Sequence, residues 1–173
     1  MSKDKQIHKH KTHYLLLHLG SWIEDIPEDN VKIIIAVSLN YCVYNEDVRI
    51  KGYLITQHHI CLVIHSKKHS IHHILTVLSE QIEIRVYRYL KMNWEDEKVV
   101  YLDNQYSMFT KHILRNKYLI QLITGHMEGP PYYSPEFARL KRLTHNYNYC
   151  SVLNYVGVKG PAEGPVQVQI DKK

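Results

Sequence analysis

Val48-Arg49-Ile50-Lys51-Gly52-Tyr53-Leu54-Ile55-Thr56-Gln57-His58-His59-Ile60-Cys61-Leu62-Val63-Ile64 reads as two extended segments joined by a tight turn. Val48–Thr56 and His59–Ile64 are rich in β-branched and aromatic residues, which fit a pleated, half-buried surface. Gln57 and His58 fall where the connection belongs. Residues i and i+2 of a strand share a face, so His59 and Cys61 point the same way. His58 would point the opposite way if the strand ran on regularly through it.

Upstream, Val31–Tyr44 carries Val31, Ile34, Ile35, Ala36, Leu39 and Cys42 on one side, the mark of an amphipathic helix. Before it, His13–Gly20 reads as a strand, and residues 1–12 read as a flexible basic arm. Downstream, Ser70 can cap a helix whose apolar residues Ile71, Ile74, Leu75, Leu78 and Ile82 form one stripe. The order strand, helix, strand, strand, helix predicts an α+β chain with a ferredoxin-like antiparallel sheet and helices packed on one face. Residues 13–173 are expected to form one domain.

Beyond Leu90 the pattern loosens. Val99–Leu102 is a candidate short strand, Phe109–Thr124 a helix stopped by Gly125, and Phe137–Leu143 a short last helix. Pro130, Pro131 and Pro135 exclude a regular helix across 128–135. Val166, Val168 and Ile170 alternate as in an edge strand.

The 173 residues carry 22 Lys and Arg against 17 Asp and Glu, a formal charge of +5. That balance is compatible with a nucleic-acid partner without requiring one. Tyrosine occurs 14 times and histidine 13 times. Tyrosines stack on unpaired bases, and they also pack in ordinary sheets. Cys42, Cys61 and Cys150 are far apart and contain no Cys-x-x-Cys, which argues against a disulfide framework or a zinc ribbon. The basic start is followed only by Tyr14–Leu17 as an apolar run, too short for a signal peptide or a membrane span. The expected location is the cytoplasm, with no membrane association.

Three stretches in this order resemble the REP-associated tyrosine transposases of the HUH single-strand endonuclease superfamily. They are Trp22-Ile23-Glu24-Asp25-Ile26 with the helix that follows, the hairpin Gly52–Ile64, and Tyr149-Cys150-Ser151-Val152-Leu153-Asn154-Tyr155-Val156-Gly157, similar to the family's Tyr-Ser-Ser-x-x-x-Tyr. The resemblance covers about residues 14–90 and 145–172, and 91–144 matches poorly. It implies a protein that handles single-stranded or hairpin DNA, works as a homodimer, and nicks DNA with a tyrosine nucleophile aided by magnesium or manganese. In the family, a His-hydrophobe-His pair on the second hairpin strand holds that metal, which polarises a phosphate for attack.

This chain departs from the family at both chemical positions. The metal pair becomes His59-Ile60-Cys61, and a thiolate is a soft ligand suited to zinc rather than magnesium or manganese. The family's tyrosine lies five residues before a proline. Counted back from Cys150-Ser151 that proline is Pro135, and the tyrosine position falls on Pro130. A shifted register leaves Tyr118, Tyr132 and Tyr133 as candidate nucleophiles, with Tyr118 in an expected helix and Gln121 one turn on. Cleavage is therefore expected to be weak or absent in a transposase-like DNA-binding protein. A non-catalytic interaction protein, or a decayed transposase without DNA affinity, is the alternative.

Lys67, Lys68, Lys111 and Arg115, with the denser group Arg139, Lys141 and Arg142, are candidate phosphate contacts or ordinary solvated cations. His65, His69, His72 and His73 cluster around a helix start. His69 and His73 are spaced i, i+4, but no carboxylate lies between them, and the cluster reads as a solvated helix N-terminus.

Overall fold

The structure is a computed structural model that describes residues 11–93, 107–146, 149–156 and 168–171. β1 (Lys11–Leu19) leads through a 3-10 turn to α1 (Glu28–Asn45), then β2 (Val48–Ile55), β3 (His59–Ser66) and α2 (Ile71–Asn93). β4 (Phe109–Ile113), α3 (Lys117–Ile123), α4 (Pro135–Asn146) and α5 (Ser151–Val156) follow. The four strands form one antiparallel sheet in the order β2-β3-β1-β4, with β1 paired to both β3 and β4. This is the ferredoxin-like α+β arrangement expected from the sequence.

Alternation along the strands sorts side chains to two faces. Leu15 and Leu17 of β1, Ile60, Leu62 and Ile64 of β3, and Ile50, Tyr53 and Ile55 of β2 meet α1 and α2 in the main core. Helix α1 contributes Val31, Ile35 and Leu39, and α2 contributes Ile74, Leu78, Ile82 and Val86. Each fully buried aliphatic side chain of this kind is worth about 1.5–3 kcal/mol. Trp22 closes one end, its indole donating to the Met108 carbonyl at 2.7 Å.

The other face carries a second core that the periodicity of the sequence does not announce. Leu54, Cys61 and Val63 of the sheet pack there against Leu119, Leu122 and Ile123 of α3, Phe137 of α4, and Cys150 and Val152 beside and within α5. Two features bring these short helices onto β2. At Gly52, beside the irregularity in β2, a Cβ would stand 2.5 Å from the Ile123 carbonyl oxygen, so only glycine admits the end of α3. Ser151 then ties three elements together. Its Oγ accepts from Tyr53 N at 2.9 Å, and it lies 3.0 Å from Tyr53 O and 2.5 Å from Ile123 O as a shared donor.

The expected helix over Phe109–Thr124 is instead two elements. Phe109–Ile113 is the fourth strand, and the helix begins only at Lys117, after Asn116 caps it by accepting from Leu119 N at 3.0 Å. Phe109 and Ile113 are spaced i, i+4, which suits a helix, but two residues at the ends of a five-residue strand share a face as well. The helix stops where Gly125 adopts φ 87°, as expected. The helix expected over Phe137–Leu143 is longer than anticipated, starting at Pro135, a residue suited to a first helical position, and it is not the last, since α5 follows at Ser151–Val156. Lys11 and Thr12 belong to β1, and residues 168–171 are irregular, with Asp171 N donating to Ile50 O at 2.8 Å. The arm over 1–10, the candidate strand 99–102 and Val166 lie outside the described residues. No helix of the described residues is long and apolar enough to cross a membrane.

Removing the Ser151 hydroxyl strands a buried amide or carbonyl, so Ser151→Ala should lower unfolding stability by about 1–3 kcal/mol. Gly52→Ala should cost at least as much, because Ile123 must give way. Urea denaturation of both variants checks this, and a wild-type midpoint for either would show that the clamp contributes no stability.

Candidate functional site

The second face is not wholly covered. Helices α3 and α5 sit over its β2–β3 part, and beyond them the strands present a row of imidazoles. His18 of β1 pairs directly with His59 of β3, and their ring centroids are 4.4 Å apart, edge to face. His112 of β4, opposite Leu16, brings its ring 4.5 Å from His18. Thr110, opposite His18, extends the row with a hydroxyl. His58 lies in the turn ahead of β3, not on the strand's opposite face. There its ring centroid is 6.4 Å from His59, so it joins the row.

The turn holding His58 and His59 is closed locally. Thr56 N and Thr56 Oγ1 donate to His59 O, and His59 N donates to Thr56 Oγ1 at 3.1 Å. His58 O accepts from Leu19 N at 2.9 Å, which locks the turn to the end of β1. His59 ionises below the ordinary imidazole value. Partial burial is the main cause, followed by the neighbouring His18 and His58.

Cys61 shares the face of His59 but not its exposure. It is 6% exposed and packs in the second core. Burial pushes its thiol up to about 11, so at neutral pH it is a protonated, apolar group rather than a thiolate. Cys150, also in that core, is pushed up to about 12 for the same reason. Cys42, Cys61 and Cys150 are all free.

Two of the three candidate tyrosines are brought together. Tyr118, at the start of α3, has its hydroxyl 3.5 Å from that of Tyr132, and its ring packs edge-on against Phe137. The hydrogen bond from Tyr132, then one from Ser134, lowers the pKa of Tyr118, while that of Tyr132 is raised by the same contact. Tyr133 is 82% exposed.

The candidate cations separate into four places. Arg139, Lys141 and Arg142 are exposed on α4, whose Phe137 and Thr144 are buried. Arg115 follows β4 into α3, whereas Lys111 pairs with Leu17 and therefore faces the α2 side, lining a shallow groove with Thr76 and Glu80. Lys67 and Lys68 are exposed in the β3–α2 turn, and Lys68 reaches Asp47 at 3.6 Å. A cavity of about 620 Å³ opens on the second face at the far end of β1, lined by Tyr14, Lys51, Val63, Gln121, Thr124 and Tyr155 among others.

Among the described residues, the group of three His, Cys, Asp or Glu side chains whose donor atoms all lie within 4.8 Å of one another is Glu46, His69 and His73. This cluster could hold a metal ion. The sequence offers the two histidines without a carboxylate, and the missing carboxylate comes from the turn after α1.

The chain matches no protein-family model, no curated protein and no solved structure.

Because His59 ionises below its usual value when folded, the unfolded chain takes up its proton first as the pH falls. The His59 contribution to stability should therefore be constant above about pH 7.5 and decline from near 6.5 downward, until the folded-state value is passed. In thermal melts from pH 8 to pH 5, His59→Gln should flatten that decline. An identical slope in the variant would show that His59 is not linked to folding.

Proposed function

We propose that this chain is a transposase-like DNA-binding protein that holds single-stranded or hairpin DNA on the imidazole-bearing face and has lost metal-dependent nicking. The observation that carries the reading is the row His59, His18 and His112, with centroid spacings of 4.4 and 4.5 Å on a sheet surface that the short helices leave open. Flat rings on a sheet are stacking platforms for unpaired bases, tolerant of sequence because every base has a π-face. Along β1 the same face continues from His18 through Leu16 to Tyr14 at the cavity. Alternate residues on a strand are about 6.7 Å apart, a spacing an extended nucleotide chain can follow. Arg115 and the α4 cations Arg139, Lys141 and Arg142 belong to the layer on this side and suit the phosphates.

The chemistry of the row favours binding over cleavage. Magnesium and manganese prefer oxygen donors, and a buried protonated thiol at Cys61 is a poor partner for either. Tyr118 and Tyr132 engage each other. No hairpin-DNA adduct is expected in manganese or magnesium. Cys61→His should not restore nicking, since the larger ring must enter a packed core. The proposed state is a homodimer in the cytoplasm, where three free thiols stay reduced.

Gel-shift titration with hairpin, unstructured single-stranded and duplex DNA of matched length tests the reading. Hairpin and single strand should bind in preference to duplex. His18→Ala with His59→Ala should weaken binding at least tenfold, about 1.4 kcal/mol. Replacing Arg139 and Arg142 should reduce the salt slope by about 0.7 for each phosphate left without its cation. No binding to any of the three at low salt would sink the proposal and favour an interaction protein.

A further inference from the structure

Away from the second face, the turn between α1 and β2 abuts the turn between β3 and α2. Glu46 closes α1, its backbone N–H donating to Cys42 O at 3.0 Å. His69 sits in a turn held by Ser66, whose Oγ donates to His69 O at 2.9 Å and accepts from His69 N at 3.2 Å. His73 lies in the first turn of α2, with its N–H held by Ser70 Oγ at 3.2 Å. Both imidazoles thus project from backbone that is already fixed. They converge on one oxygen: His73 Nε2 is 2.9 Å and His69 Nε2 is 3.6 Å from Glu46 Oε2.

Tetrahedral zinc, with bonds of about 2.0–2.2 Å, sets neighbouring donors about 3.3–3.5 Å apart. The His69–Glu46 separation of 3.6 Å is close to that, and His73 Nε2, hydrogen-bonded to Glu46 Oε2 at 2.9 Å, has only to move outward by about half an ångström to admit the ion. The two rings stand 4.6 Å apart, and the donor atoms of all three side chains lie within 4.8 Å of one another. The helix dipole opposes a metal cation, a small penalty beside three coordinate bonds.

We propose that Glu46, His69 and His73 form a site for zinc or a similar borderline transition metal, with solvent in the fourth position. Two imidazole nitrogens and one carboxylate oxygen select such ions over magnesium and calcium, which favour all-oxygen sets. The fourth position is open because the His73 side chain is 47% exposed, while Glu46, at 17%, forms the floor. The ion joins the end of α1 to the start of α2, so it braces the two helices of the main core. The site is separate from the imidazole row and does not depend on DNA binding.

The test is calorimetric titration of zinc chloride into the full chain after treatment with a chelator, together with a melt. One equivalent should bind in the micromolar range or tighter, and the melting temperature should rise. Cobalt in place of zinc should give the intense visible bands of a four-coordinate ion. Glu46→Gln and His73→Ala should each weaken zinc binding at least roughly tenfold and remove the cobalt bands. His72→Ala, one residue away on the exposed side of α2, should change neither. The proposal falls if zinc does not bind, if it binds Glu46→Gln and His73→Ala as it binds the parent chain, or if the equivalent is lost in His18→Ala instead, which would move the ion to the sheet face.

Discussion

A single hydroxyl inserted against β2 organises the half of the molecule that the ferredoxin-like frame does not. Ser151 Oγ links the Tyr53 amide and carbonyl to the end of α3, and it can do so only because Gly52 has no side chain to hold α3 away. Tyr155 adds a bond from its hydroxyl to Lys51 O at 2.5 Å, and Tyr149 O accepts from Ile55 N at 2.9 Å. The segment 149–156 is therefore sewn to β2 along its length. Its helix is too short to be stable alone, and these tertiary bonds fix it.

That attachment determines what the second face can do. With α3 and α5 drawn toward β2, the apolar residues of the β2–β3 side are covered, and the end of β1 at His18 with the start of β3 at His59 is left to histidines. Cys61 and His59, two residues apart on one strand, consequently have opposite fates. Cys61 lies under the short helices and behaves as a hydrophobe, while His59 lies beyond them among other imidazoles. The boundary between core and surface runs between them.

The frame was legible because its signals are local. The Val48–Ile64 hairpin, the stripe Ile74-Leu78-Ile82 and the cap at Ser70 each announce an element within a few residues. What the sequence hid depends on register between distant segments. His18 stands at the end of an apolar strand and has no meaning until β1 is set against β3. His112 lies in a stretch whose two apolar residues fit either period, and Glu46 meets His69 and His73 only because two turns adjoin. The Tyr149-Cys150-Ser151 motif was visible, but its resemblance to a family pattern did not reveal that its serine is a structural clamp. The cations Lys67, Lys68, Lys111, Arg115, Arg139, Lys141 and Arg142 look alike in the sequence, and the fold distributes them over four places because strand alternation and helix packing send neighbours in sequence to different faces.

The central position of β1 has a consequence for how the chain is made. β1 is flanked by β3 on one side and β4 on the other, and β4 comes from Phe109–Ile113, long after β1 and β3 themselves. During synthesis the first three strands and two helices can assemble while one edge of β1 still presents its unpaired N–H and C=O groups. The fourth strand is short, and its residues Thr110, Lys111, His112 and Ile113 are exposed. Its contribution lies less in hydrophobic burial than in ending that edge's availability to another chain. In a nascent protein, the interval before β4 emerges is the time when β1 is open to the wrong partner.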